Sequence, residues 1–172
     1  MNALHKMYMV SHPLRISRYG AHTSLSSAER VEIIDTMMQA LGATLSILAS
    51  LKQGQTQLRN VSFLPIQDLI QRLLLENIVY TEFLVSGIRD LGGYVDVATL
   101  MKVKDVYESK CFADCLSVIN QDIHRLCAFD TVFSECRERA LADKDRASTR
   151  YFDHCIRHNR RFLELIKQHL VE

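Results

Sequence analysis

The sequence predicts an all-α four-helix bundle, and three observations predict it. Apolar residues recur at three- and four-residue spacing in four long stretches, the signature of helices with one buried face. Only six Gly and two Pro punctuate 172 residues, too few for the many tight turns of an all-β chain. Hydrophobic residues make up 48% and charged residues 24%, which excludes a disordered chain. A chain of this length is expected to form one domain.

Residues 1–25 carry Gly20, Pro13, scattered Ser and His and no sustained apolar period, so they read as a flexible basic tail; residues 26–172 hold the folded domain. Ser26 with Glu29 three residues on is a capping-box pattern, and Val31, Ile33, Ile34, Met37, Met38, Leu41, Leu45, Leu48 and Leu51 follow at helical spacing. The first helix is thus expected over about 27–53, with Gly54 and the polar run to Ser62 breaking it. Pro65 opens the second helix, where a first turn tolerates its missing donor. Its apolar face runs from Ile66 through Leu69, Ile70, Leu73, Leu74, Ile78, Phe83, Leu84 and Ile88 to Leu91. Gly92-Gly93 supplies the left-handed cap that ends it.

A short helix around Thr99–Tyr107 is expected within the connection to the third helix. The third helix shows its stripe from Phe112 and Cys115 to Cys136 and Ala140, including Leu116, Cys127 and Phe133. Residues 143–145 are a polar break with an Asp available as N-cap, and Tyr151, Phe152, Cys155, Ile156, Phe162, Leu163, Ile166 and Leu170 form the last apolar face. Four long helices with one long connection between the second and third match a bundle whose connection crosses its full length, as in ferritin-like folds.

Several function classes fall away. Lys plus Arg (21) nearly balance Asp plus Glu (20), so any electrostatic function must be local. No apolar run is expected to reach the roughly 18 residues of a membrane span, which predicts a soluble protein with no membrane partner. Five Cys, all from Cys111 onward with no signal h-region before them, suit a reducing cytoplasm. The pairs Cys111/Cys115, His124/Cys127 and His154/His158 each have the spacing to share a helical face and a soft metal, but Cys115, Cys127, Cys136 and Cys155 fall in apolar stripes and read as core packing. No nucleophile motif, phosphate loop or dinucleotide fingerprint is present.

Two segments agree in register with a known family. Lys52-Gln53-Gly54-Gln55, then Phe63, then Ile88-Arg89-Asp90-Leu91-Gly92-Gly93, together with Arg161-Phe162-Leu163 and Ile166, resemble the Dps-like miniferritins over roughly residues 26–170. These are bacterial starvation-induced, DNA-protecting proteins of the ferritin superfamily. The resemblance implies a ferritin-like bundle and a closed homo-oligomer, a dodecamer, that oxidises ferrous iron with peroxide at a site shared by two subunits. Its five ligand positions fall on Gln55, Gln67, Gln71, Glu82 and Ser86, and only Glu82 keeps a carboxylate. Thr56 stands where the family has Trp, and the chain has no Trp.

Amides keep polarity but lack the charge that offsets dehydration of a hard cation. The site is therefore expected to be degenerate, with no catalytic residue, bound metal or cofactor. Gln67 and Gln71, four apart on one helical face, also read as hydrogen-bonding residues of a subunit interface. No Glu-x-x-His motif occurs to build an iron site inside the bundle. The alternative is an active miniferritin that holds iron through Glu82 and neighbouring carboxylates; a further one is a protein-interaction module that kept only the bundle.

The basic residues suggest a partner. Lys6, Arg15 and Arg18 lie in an arm with no acid before Glu29 and are candidates for sequence-independent DNA contact under stress, a binding that a multimeric shell would multiply. Arg146, Arg150, Arg157 and Arg161 are spaced 4, 7 and 4 residues apart and share one face. By the resemblance, Asp143, Asp145, Arg146 and Arg150 would stand at a pore or inner wall. Bases there repel ferrous ions. The same Arg are equally explained as ion-pairing residues of a solvated face.

Overall fold

The computed structural model describes residues 25–58, 64–98, 100 and 111–170. Four helices account for nearly all of them: α1 Ser27–Gln57, α2 Leu64–Asp90, α3 Phe112–Ala142 and α4 Arg146–Leu170. No strand occurs among the described residues. The protein is an all-α four-helix bundle.

Local chemistry sets the helix ends. The Glu29 amide donates to Ser26 Oγ at 3.2 Å while the Glu29 carboxylate accepts from the Ser26 amide at 2.8 Å. The Ser26 hydroxyl also donates to the Glu29 carboxylate at 2.7 Å, and this bond first, then the one from the Ser26 amide, holds the Glu29 carboxyl below its ordinary value. At the other end α1 runs four residues beyond the expected stop. Gly54 is buried and helical, and a Cβ there would lie 3.2 Å from the Phe112 ring of α3. Glycine at 54 thus lets an aromatic ring approach rather than ending the helix.

α2 stops as expected: Gly92 takes φ 90°, and the Gly93 amide bonds the Ile88 carbonyl at 2.8 Å. The α3–α4 turn passes through Lys144 at φ 57°, after which Asp145 caps α4 by accepting from the Ala147 and Ser148 amides at 3.0 Å each. Of the expected short helix at 99–107, Leu100 is helical, continuing from Val97 and Ala98, and the other positions lie outside the described residues.

Cross-helix contacts define the topology. Gly54 meets Phe112 near the end of α1 and the start of α3, while Leu25 and Glu29 share a crevice with Arg139 and Ala140 at the opposite end, so α1 and α3 are antiparallel. Gly93 lies against Ile34, Gly87 against Tyr151, and Arg160 pairs with Asp130, which makes α1/α2, α2/α4 and α3/α4 antiparallel as well. α2 and α3 therefore run parallel on a diagonal, and the connection from Leu91 to Cys111 must travel the length of the bundle.

The core is a continuous cluster drawn from all four helices, with Met37, Leu41, Leu73, Leu84, Phe133, Phe152 and Ile166 wholly buried. Two expected core positions face outward: Val31 is 37% and Ile78 is 40% exposed. Both lie on helices whose apolar residues cover more than the inward arc, and periodicity alone does not mark which side packs. Contrary to expectation, one helix is long and apolar enough to cross a bilayer, over Ala28–Gln57. Two thirds of its most apolar window is buried within the bundle, the environment of a central core helix.

Candidate functional site

The outer face of α2 gathers the positions singled out by sequence. Residues 67, 71, 75, 78, 82 and 86 recur at three- and four-residue steps and lie on one strip of the helix. Gln55 reaches across from α1 and its amide donates to Gln71 Oε1 at 3.0 Å, while the Gln67 amide bonds the Leu58 carbonyl at 3.3 Å. The three Gln are thus brought together at the α1–α2 end. Glu82 and Ser86 are not. Eleven residues separate Gln71 from Glu82, about 16 Å along the axis. Any site using all five positions would draw its two halves from two copies of the chain.

Between the two halves the strip is apolar. Leu75 is 57%, Ile78 40% and Val79 49% exposed, at i, i+3 and i+4. Beside them a cleft of about 320 Å³ runs between α2 and α4, bounded by Arg72, Leu75, Glu76, Arg161 and Leu165. Arg161 bonds Glu76 across it at 2.6 Å. One turn further, His158 stacks on Phe83 with ring centroids 4.3 Å apart. Burial first, then the positive charge of His154, Arg161 and Arg157, pushes His158 below its ordinary value, with Glu76 opposing.

The donor set does not suit a hard cation. The Gln55 and Gln71 side chains share a neutral hydrogen bond, and the Gln67 amide donates to a backbone carbonyl. Glu82 is the single carboxylate among the five positions. No group of three or more His, Cys, Asp or Glu capable of holding a metal occurs among the described residues. The soft-metal pairs separate by burial. Cys115, Cys136 and Cys155 are buried, Cys127 is half-buried beside the Lys167 ammonium at 3.4 Å, and Cys111 is exposed. Burial pushes the Cys136 and Cys155 thiols up, which keeps them protonated and inert.

Sequence reasoning missed a polar layer within the core. The Tyr80 hydroxyl donates to Asn159 Oδ1 at 2.9 Å, and the Asn159 amide donates to the Leu126 carbonyl at 3.0 Å, tying α2, α4 and α3 together. Asn77 likewise bonds the Thr44 carbonyl of α1 at 3.0 Å. Asp122, also buried, bonds Arg125 at 2.9 Å through one carboxylate oxygen and leaves the other without a protein partner. A lone polar residue inside an apolar stripe was the only available signal for each.

At the α3–α4 end, Asp143, Arg146 and Arg150 are exposed, whereas the Asp145 carboxylate is buried under the first turn of α4 and consumed by its cap. Lys6, Arg15 and Arg18 lie outside the described residues. No model of a known protein family and no curated protein matches the chain.

Proposed function

We propose that this protein is a Dps-like, ferritin-like bundle that assembles with copies of itself into a shell, a dodecamer by the resemblance, and works as a structural, DNA-protecting particle rather than an iron-oxidising one. The observation that carries the reading is the outer face of α2. Its apolar stripe of Leu75, Ile78 and Val79 suits a two-fold contact, and the five positions where the family gathers iron ligands flank that stripe in two groups. The antiparallel neighbours and the bundle-length connection after α2 agree with a ferritin-like topology.

The same face argues against iron chemistry. Ferrous oxidation needs anionic oxygen and imidazole ligands with open positions for peroxide. Gln55 and Gln71 instead close a neutral hydrogen bond, which dehydration of an iron ion would have to break without supplying charge in return. DNA contact rests on Lys6, Arg15 and Arg18, multiplied by assembly. No iron, other cofactor or membrane enters this function, and the cytoplasm is its natural setting.

The test is ferric formation from a few equivalents of ferrous iron per chain with peroxide at neutral pH. The expected rate is that of a protein-free control. Saturable acceleration at a fixed iron-to-chain ratio would overturn the structural reading and favour a working miniferritin.

A further inference from the structure

The turn between α3 and α4 gathers like charge where the helix that follows tolerates it least. Lys144 stands in the left-handed region at φ 57°, a conformation glycine adopts more cheaply, and Arg146 and Arg150 follow on one face of α4. All three are exposed. Together with Leu141 and Thr149 they line a cleft of about 400 Å³. The two Arg lie one turn apart and repel each other, and the first turn of α4 holds no acid to offset the positive end of its dipole.

No described residue answers this charge. Lys144, Arg146 and Arg150 form no ion pair with one. The acids nearest in sequence are engaged elsewhere. Asp145 is buried in the α4 cap, Glu138 and Asp153 are both held by Arg137 at 2.6 Å, and Asp143 borders a separate crevice with Leu25 and Glu29. Among the described residues, no acid lines the cleft. The first amides of α4 are taken by Asp145, so contact with a ligand here falls to the side chains. Residues that break a local rule without a compensating contact inside the bundle are those expected to meet a ligand.

We infer that this cleft binds a small anion carrying two linked phosphate groups. A single phosphate brings about 1.5 to 2 negative charges at neutral pH, which leaves one of the three cations unmatched; a second phosphate matches it. The guanidinium groups of Arg146 and Arg150, about 6 Å apart along the helix, take phosphate oxygens in bidentate geometry, and the Lys144 ammonium adds a point charge. The Thr149 hydroxyl already donates to the Asp145 carbonyl at 2.7 Å, and Leu141, 52% exposed, is the apolar wall. The volume of the cleft falls within the roughly 300–1,000 Å³ of small-molecule sites and is far too small for a duplex.

The inference goes beyond the proposed function and does not need the shell. In a shell the same corner would stand, by the resemblance, at a pore or inner wall, where a small anion arrives and a duplex does not.

The experiment is equilibrium dialysis of radiolabelled pyrophosphate against the full chain in metal-free buffer at neutral pH. Saturable binding of about one anion per chain is expected, weakening as salt rises from about 50 to about 200 mM, with orthophosphate at least tenfold weaker as a competitor. Arg146→Gln/Arg150→Gln is expected to weaken binding at least tenfold with unchanged far-UV circular dichroism, since both side chains are exposed. Lys144→Gly removes a cation while relieving the backbone, so binding should weaken about threefold as the thermal midpoint holds or rises, a combination that no folding defect produces. Arg157→Gln, on α4 but outside the cleft, should bind like wild type. Adenosine diphosphate separates the two sources of a diphosphate: competition stronger than that of unlabelled pyrophosphate assigns the Leu141 wall to an organic group, and weaker competition assigns the site to the inorganic anion. Absence of saturable binding, orthophosphate competing as well as pyrophosphate, or an equal loss in Arg157→Gln would overturn the inference. Light scattering on the same samples reads assembly separately: a monomer that binds would remove the shell and keep the site, and a shell that does not bind would do the reverse.

Discussion

Asn159 shows how much one polar side chain decides in this bundle. It is fully buried, accepts from the Tyr80 hydroxyl and donates to the Leu126 carbonyl, so three helices are registered through one amide. Asn159→Leu would leave the buried Tyr80 hydroxyl without an acceptor. An orphaned buried polar group costs about 1–3 kcal/mol, and Leu, which has the same branched shape as Asn, fills the site without supplying the lost acceptor. The expected result is a loss of roughly 5 °C in thermal midpoint for a domain of this size, and an unchanged midpoint would show that the Tyr80 hydroxyl finds another acceptor.

His158 adds a pH term of definite sign. Its folded-state pKa is lowered, first by burial and then by His154, Arg161 and Arg157, so the unfolded chain binds its proton more readily. Stability therefore rises with pH through the window below about 6.5, and it falls as acid protonates His158 against Phe83 and its cationic neighbours. Melts between about pH 7.5 and about pH 5.5 should show a smaller acid-induced drop for His158→Gln than for wild type. Equal drops would assign the acid sensitivity to other groups.

Among the elements, α2 is constrained on both sides. A Cβ at Gly87 would collide with the Tyr151 hydroxyl and lie 2.7 Å from Met37 Cε, and that hydroxyl is itself engaged with the Met37 sulfur at 2.8 Å. Helix propensity favours Ala over Gly by about 1 kcal/mol, but overpacking a filled core costs about 1–3 kcal/mol, so packing wins. Gly87→Ala is expected to lower the denaturant midpoint; a rise would mean that Tyr151 swings clear at little cost.

Elements whose ends are set by short-range chemistry were legible in the sequence. Ser26 with Glu29, Asp145 with the following amides, and Gly92 each act within a few residues of the backbone they satisfy. Gly54 was not legible as a helical residue, because the reason for it is the Phe112 ring, 58 residues away in the chain. Nor was the outward position of Ile78, since α2 is apolar over an arc wider than the core can cover. The candidate site was legible as a set of positions on α2 but not as the hydrogen bond between Gln55 and Gln71, which depends on how α1 and α2 meet.

For the molecule as a whole, the exposed stripe on α2 poses the question of assembly. Leu75, Ile78 and Val79 leave between 40% and 57% of their surface in water. Fully burying an aliphatic side chain contributes about 1.5–3 kcal/mol, so removing what remains exposed offers about 1 kcal/mol per residue, or roughly 6 kcal/mol over three residues on each of two copies. Association costs about 4–15 kcal/mol in lost freedom, so the stripe alone holds a pair only marginally and needs the surrounding polar rim of Gln67, Gln71 and Glu82 to contribute. Marginal balance makes the contact easy to break. Leu75→Glu/Val79→Glu places two like charges beside their two-fold mates and abolishes the apolar gain, while leaving the buried core of α2 untouched. Light scattering after size exclusion is expected to give a species well above the 19.8 kDa of one chain for wild type, and a 19.8 kDa monomer of unchanged helicity for the double variant. A wild-type chain that elutes as a 19.8 kDa monomer at micromolar concentration would remove the shell, and with it the multiplication of weak DNA contacts on which the proposed function depends.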